Sequence, residues 1–214
     1  MAAPSCGMGR AYRCIASGLS GFVQQLAVSY VRNGYWFYVA GAVPEGKDPL
    51  DVDAKFARLY GLSASKYVRH RRRRKGTAAV QYLRLGRFFV LLATHGDSLF
   101  FVRERKMVRD VRRTPIKVGG YAVGYTNRRV SVRIERNEYR QLKASFVSRA
   151  CNSQDRLEAA FASLPYEPYA PVRSQLLAVL RAVNRRRAAA GLPVLDRGCV
   201  RTFRRIVQPF AESS

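Results

Sequence analysis

Runs of apolar residues and their period divide the chain into elements of different kinds. Residues 35–43 read YWFYVAGAV, aromatic and β-branched, and are closed by Pro44-Glu45-Gly46; they predict a buried strand. Asp48 followed by Pro49 is an N-cap carboxylate ahead of a proline at the first helical position. Asp51 and Asp53 lie near that start, Leu50, Phe56, Leu59 and Tyr60 supply an apolar side, and Gly61 is a stop, so a helix of about three turns follows. Residues 78–85 and 87–94 flank Gly86 with partial alternation and many β formers, the pattern of a hairpin or of two adjacent strands. Residues 99–102 predict another short strand, and the polar stretch 103–113 an exposed connection or short helix. Three more short strands follow at 115–118, 121–125 and 129–134, turned by Gly119-Gly120 and Thr126-Asn127.

From Arg136 the period becomes helical. Tyr139, Leu142, Phe146 and Val147 form one apolar stripe, and a second short helix is expected over 154–164. The linker 165–171, PYEPYAP, is stiff and extended. Pro171 opens a long helix with Val172, Leu176, Leu180 and Val183 inward and Arg181, Arg185, Arg186 and Arg187 outward, ended by Gly191 and Pro193. Residues 197–210 predict one more short helix. The order of strand, helix, several strands and then helices gives an α+β fold with a mostly antiparallel sheet and a helical C-terminal part. A ferredoxin-like split βαβ is compatible with it, and a small barrel with helices outside fits nearly as well. The expected organisation is an arm and helix over 1–34, a basic α+β domain over 35–150 and a helical extension over 151–214.

Charge changes this ordinary picture. The chain of 214 residues is 48% hydrophobic, enough to bury a core, yet it carries 39 Lys and Arg against 14 Asp and Glu, a formal +25. Self-repulsion on that scale opposes compaction until a polyanion neutralises it, and a phosphate backbone is the obvious one. The excess is regional: residues 66–150 hold 23 basic side chains against 5 acidic, whereas residues 1–65 hold 6 against 4. Arginine outnumbers lysine 32 to 7, which suits bidentate phosphate binding and stacking on bases, although an Ala- and Arg-rich chain is also what a GC-rich genome writes. Codon bias does not explain the scarcity of acids between 66 and 150.

The densest group is the decamer 66–75, KYVRHRRRRK, a short helix running into a loop or a disordered arm. Its Lys66, Arg69, Arg71, Arg72, Arg73, Arg74 and Lys75 are candidate backbone contacts, with Tyr67 and His70 able to stack on bases. A second group spans the predicted strands and turns: Arg84, Arg87, Arg103, Arg105, Lys106, Arg109, Arg112, Arg113, Lys117, Arg128, Arg129 and Arg133, interleaved with Tyr82, Phe88, Tyr121 and Tyr125. Sheets that present arginines and aromatics hold single strands and RNA by stacking, whereas Phe88, Phe89, Phe100 and Phe101 are equally suited to a core. Arg185 and Arg186 of the long helix, with Arg181, Arg187, Arg201, Arg204 and Arg205, form a third group that either crosses a backbone or is a solvated face.

Chemistry beyond binding has few carriers. His95, in the string THGD, is the one histidine placed at a strand end, where it would serve as a general base for strand cleavage or simply occupy a turn. Acids are too few in the basic region for a two-metal nuclease, and a His-x-His nickase strand is absent. Cys6, Cys14, Cys151 and Cys199 lack metal-ligand spacing and suggest neither zinc nor a disulfide framework, so no metal and no cofactor are expected, in a reducing, cytoplasmic setting. No apolar run approaches membrane-spanning length. The first 44 residues lack acids and carry Arg10, Arg13 and Arg32, a transit-peptide-like composition, but a loose arm before an amphipathic helix near 19–32 is the preferred account. The sequence therefore points to a binder of structured RNA or DNA, RNA ahead of DNA, working without catalysis in a ribonucleoprotein or mobile-element complex. The alternatives are a metal-independent endoribonuclease or nickase using His95 with a tyrosine, and a basic module that docks on an acidic protein partner.

Overall fold

A computed structural model describes residues 12–210 apart from Arg205, and of Lys66 the backbone alone. Cys6, Arg10, Arg205 and the Lys66 side chain fall outside that description. The described residues form two compact units, one running to Thr114 and resuming at Gln208, the other Pro115–Val207. The division falls inside the segment 35–150. Antiparallel sheets and seven helices among the described residues make the α+β class, with the C-terminal part helical.

In the first unit, α1 (Leu19–Gln24) runs on through a wide turn (Gln25–Tyr30) and a tight one (Val31–Asn33), burying Phe22, Val23, Leu26, Ala27, Tyr30 and Val31. Strand β1 (Phe37–Ala42) leads to α2 (Pro49–Tyr60), whose Asp48 cap accepts the Leu50 N–H at 2.8 Å and whose end is Gly61 at φ 56. Helix α3 (Lys66–Arg74), strands β2 (Val80–Leu85) and β3 (Phe88–Ala93), the short α4 (Leu99–Arg103) and the two-residue β4 (Arg109–Asp110) follow. The sheet order is β2-β3-β1-β4 with antiparallel neighbours throughout, so β3 sits between β1 and β2, which run parallel. That is a split βαβ, its last strand almost lost.

Residues 99–102, expected as a strand, are the helix α4. Ser98 Oγ accepts the Phe100 N–H at 3.2 Å, Phe100 is fully buried and Val102 is 73% exposed. Four apolar residues have no period that separates strand from helix, and the cap decided it. The described residues of 197–210 likewise do not form a helix: after one tight turn at Arg197–Cys199 they are irregular, and Phe210 bridges to Ala16. Pro209 lies so close to α1 that a Cβ on Gly21 would meet its Cα at 2.9 Å.

The β2 edge is covered. Arg84 N–H bonds to Cys14 O and Ala16 N–H to Arg84 O, both at 2.8 Å, and the Tyr12 hydroxyl accepts the Tyr82 N–H at 2.8 Å while lying 2.8 Å from the Tyr82 carbonyl. Residues 12–16 are therefore tied to the sheet and are not a loose arm. The core beneath gathers Val39, Tyr60, Leu62, Tyr82, Leu91 and Phe100. Inside it the Asp53 carboxylate receives Arg84 Nε and Nη2 at 2.8 and 2.7 Å and the Tyr82 hydroxyl at 2.7 Å.

In the second unit β5 (Ile116–Val118), β6 (Tyr121–Thr126) and β7 (Arg129–Ile134) form an antiparallel meander, joined by α5 (Arg136–Ser148), α6 (Gln154–Ala162) and α7 (Ala170–Ala189). Helix α7 lies on β7 and α5, burying Val172, Leu176, Val179, Leu180 and Val183. The Gln175 amide pairs with the end of β7, accepting the Ile134 N–H at 2.8 Å and donating to its carbonyl at 3.1 Å. Arg187, expected to face outward, is 2% exposed and donates to the carbonyls of Pro193, Ala150 and Asn152. It fastens the end of α7 to the α5–α6 connection.

Burial also fixes a pH response. It pushes the Cys14 thiol and the Tyr121 phenol each up to about 12, and raises Tyr82 and Tyr60, which also donate to Asp53 and Glu104. A group whose folded-state pKa is raised gives stability that is complete below its unfolded value and is lost as pH rises through the folded one. The urea midpoint is expected to hold steady from pH 7 to about 8.5 and then fall towards pH 12, each such group contributing at most about 1.4 kcal/mol per pH unit. A midpoint unchanged at pH 11 would contradict this burial.

Candidate nucleic-acid interface

The decamer forms a helix because its ends are well made. Ser65 Oγ accepts the Val68 N–H at 3.3 Å, and Arg71–Arg74 fill the last turn, where the helix dipole favours cations. At the far end Thr77 N–H bonds to Arg72 O and Gly76 N–H to Arg73 O, with Gly76 at φ 77, a Schellman closure. The next backbone is bolted to it: Asp97 N–H bonds to Gly76 O and Ala78 N–H to Asp97 O, both at 2.9 Å. A Cβ on Gly96, which holds φ 127, would lie 2.4 Å from Gly76 O, so only glycine fits there. The basic helix is thus an ordered part of the first unit.

Consecutive residues of a helix are about 100° apart, so four adjacent arginines cannot share a face. Tyr67, His70, Arg71 and Arg74 fall within one arc of about 100° and all are exposed, Tyr67 by 86%. Arg69 and Arg73 point the other way, donating to the carbonyls of Ala64 and Asn33. Arg72 and Lys75 are also exposed. The outward face therefore carries two guanidiniums, an imidazole and a phenol, and it has no acid. In the α4–β4 region of the same unit, Arg103, Arg105, Lys106, Arg109 and Arg113 are exposed. Arg112 is committed elsewhere: it pairs with Asp110 at 2.6 Å and lies 4.5 Å above the Trp36 ring.

Two members of the second sequence group are structural. Arg84 is 6% exposed, with its remaining guanidinium nitrogen on the Gly86 carbonyl at 2.6 Å. It is buried against Asp53 and offers nothing to a phosphate. Arg87 holds the β1–α2 turn through the carbonyls of Val43, Pro44 and Lys47. Of the aromatics interleaved with these arginines, Tyr82 and Tyr121 are 0% and 1% exposed and so closed to stacking, Phe88 packs on Phe22 at 5.8 Å, and Tyr125 is half-buried.

In the second unit Lys117 pairs with Glu135 at 2.7 Å, which with two backbone N–H bonds holds that carboxyl down to about 2, and Arg133 bonds to Ser131. Arg128 and Arg129 are exposed at the β6–β7 turn. Arg128 takes φ 59, where glycine is usual in such a turn, at a cost of roughly 1–2 kcal/mol. Arg181, Arg185 and Arg186 are exposed on α7. Arg201 pairs with Glu167 at 3.3 Å, and Arg204 lies 4.9 Å from the Tyr169 ring centre.

His95 is exposed on the turn bolted to the end of α3, its ring 6.4 Å from that of Phe37. The phenols of Tyr12, Tyr30, Tyr60 and Tyr82 are all raised by burial, which keeps them protonated and poor as nucleophiles. Among the described residues no three His, Cys, Asp or Glu side chains gather to hold a metal, and Cys14, Cys151 and Cys199 are free thiols. No helix of the described residues is long and apolar enough to cross a membrane.

Sequence reasoning did not find the Trp36–Arg112 stack or a cleft at the foot of α3. Both are built from segments far apart in the chain and leave no local signal. Set against known proteins, the chain matches no family model and no curated sequence.

Proposed function

We propose that this chain binds the phosphate backbone of a structured nucleic acid, RNA ahead of DNA, as a non-catalytic part of a nucleoprotein complex. The observation that carries the reading is the outward face of α3. A capped and bolted helix spends its surface on Tyr67, His70, Arg71 and Arg74, in a chain of formal charge +25. Arginine neutralises phosphates and releases their counterions, and a phenol and an imidazole on the same face stack on unpaired bases. RNA displays more such bases in its loops and bulges, which is the ground for placing it first.

Binding is to be measured on an RNA hairpin, a DNA duplex and a single strand of equal length, across a range of salt. The expected result is a steep fall of affinity with salt for each, roughly 0.7–0.9 logarithmic units per phosphate neutralised, with the RNA hairpin bound most tightly. Affinity indifferent to salt would overturn the reading and favour docking on an acidic protein. Strand cleavage that disappears with His95→Ala would overturn its non-catalytic part.

A further inference from the structure

A cleft of about 630 Å³ opens in the first unit at the foot of α3. That is a common size for a small-molecule site. Its walls come from Tyr12, Gln25, Tyr30, Gln81, Ser63 and Arg69, and Ser65, the cap of α3, stands at its rim. Among the described residues the lining contains no carboxylate. Two other clefts of the unit differ in this: one, beside α2, is lined by Asp48 and Asp51, and one, beside α4, contains Asp97 among Leu99, Phe101 and Val102. The cleft beside α2 sets Lys47 and Lys55 against its two acids, whereas the cleft under α3 has Arg69 with no facing carboxylate among the described residues, which suits an anionic ligand.

The polar groups at its wall are ordered. The Tyr12 hydroxyl lies 2.9 Å from Gln81 Oε1, and Ser29 Oγ donates to Gln25 Oε1 at 2.9 Å. Gln81 is 4% exposed, so its amide is fixed in the floor. Tyr30 and Tyr35, each 6% exposed, pack as tilted rings with centroids 5.7 Å apart and back the wall. Amides and hydroxyls supply both donors and acceptors, as the edge of a nucleobase requires. Arg69 and the first turn of α3 lie where the attached phosphate would sit.

We propose that this cleft takes one unpaired nucleotide of the nucleic acid held by α3, with the base edge toward the amides and hydroxyls of the wall and the phosphate at Arg69. The inference rests on the nucleic-acid reading above. It makes α3 the guide that brings an unstacked nucleotide to a built pocket.

The test uses the full chain and two RNA hairpins of one sequence, one fully paired and one with a single bulged nucleotide. The bulged hairpin is expected to bind roughly tenfold tighter. Ser63→Trp places an indole at the mouth of the cleft and removes no hydrogen bond described above. It is expected to abolish the preference while leaving affinity and salt slope on the paired hairpin unchanged, which also shows that the variant is folded. In wild type, adenosine or uridine monophosphate is expected to compete with the bulged hairpin and not with the paired one. Equal binding of the two hairpins by wild type would overturn the pocket while the backbone reading stands. A preference that survives Ser63→Trp would place the nucleotide elsewhere and overturn it as well. Failure of wild type to bind either hairpin would remove both readings together.

Discussion

Replacing Arg71 and Arg74 together by alanine is expected to weaken nucleic-acid binding by roughly tenfold to a hundredfold near physiological salt. It should also lower the slope of log K against log salt by about 1.4–1.8. The reason is geometric. These two guanidiniums share the outward face of α3 with Tyr67 and His70, whereas Arg69 and Arg73 are turned to backbone carbonyls of the same unit. Alanine is the best helix former, the Ser65 cap and the Gly76 closure are untouched, and removal of like charges relieves repulsion, so the helix persists. Arg73→Ala alone should leave the salt slope nearly unchanged. If the pair variant kept the full slope, the phosphate contacts would lie on the α4–β4 arginines instead.

Asp53→Ala is expected to destabilise the first unit by about 3–5 kcal/mol, the cost of leaving a buried charge without its partner. The side chains of Arg84 and Asp53 are only 7% and 10% exposed, and the Tyr82 hydroxyl loses its acceptor at the same stroke. Hydrogen exchange should show protection lost in β2 and β3 while α7 keeps its own. The combined change of Asp53→Leu, Arg84→Met and Tyr82→Phe should recover most of the loss, because well-packed apolar residues often replace a buried ion pair at no net cost. A loss below about 1 kcal/mol for Asp53→Ala would mean that water reaches the pair.

Periodicity was strong where an element carried many residues and a clear stop. The helix after Asp48-Pro49, the hairpin about Gly86, the meander from 115 to 134 and the long helix after Pro171 all form near their expected places. It failed where four apolar residues stood alone, at Leu99–Arg103, and where a charged tail gave no period at all, after Cys199. The arginines show the deeper limit. Arg84 and Arg187 look in sequence like their exposed neighbours, yet both are buried and saturated with acceptors. What separates them is a distant partner, Asp53 or the Ala150 and Asn152 carbonyls, and composition cannot report a partner. The same holds for the sheet aromatics: alternation showed that Tyr82 and Tyr121 point to one side of a strand but not which side is covered.

The covered sheet edges have a consequence once the charge is neutralised. A chain of formal charge +25 is kept dispersed by its own repulsion, and a bound polyanion takes that protection away. Condensed proteins then adhere through whatever backbone groups stand open, and an unpaired strand edge is the usual template. Here Tyr12 and residues 14–16 occupy the rim of β2, and the Gln175 amide pairs with the last residue of β7. At the β2 rim, crowding on a nucleic acid meets no open strand to extend, so contact made there by charge yields again to salt.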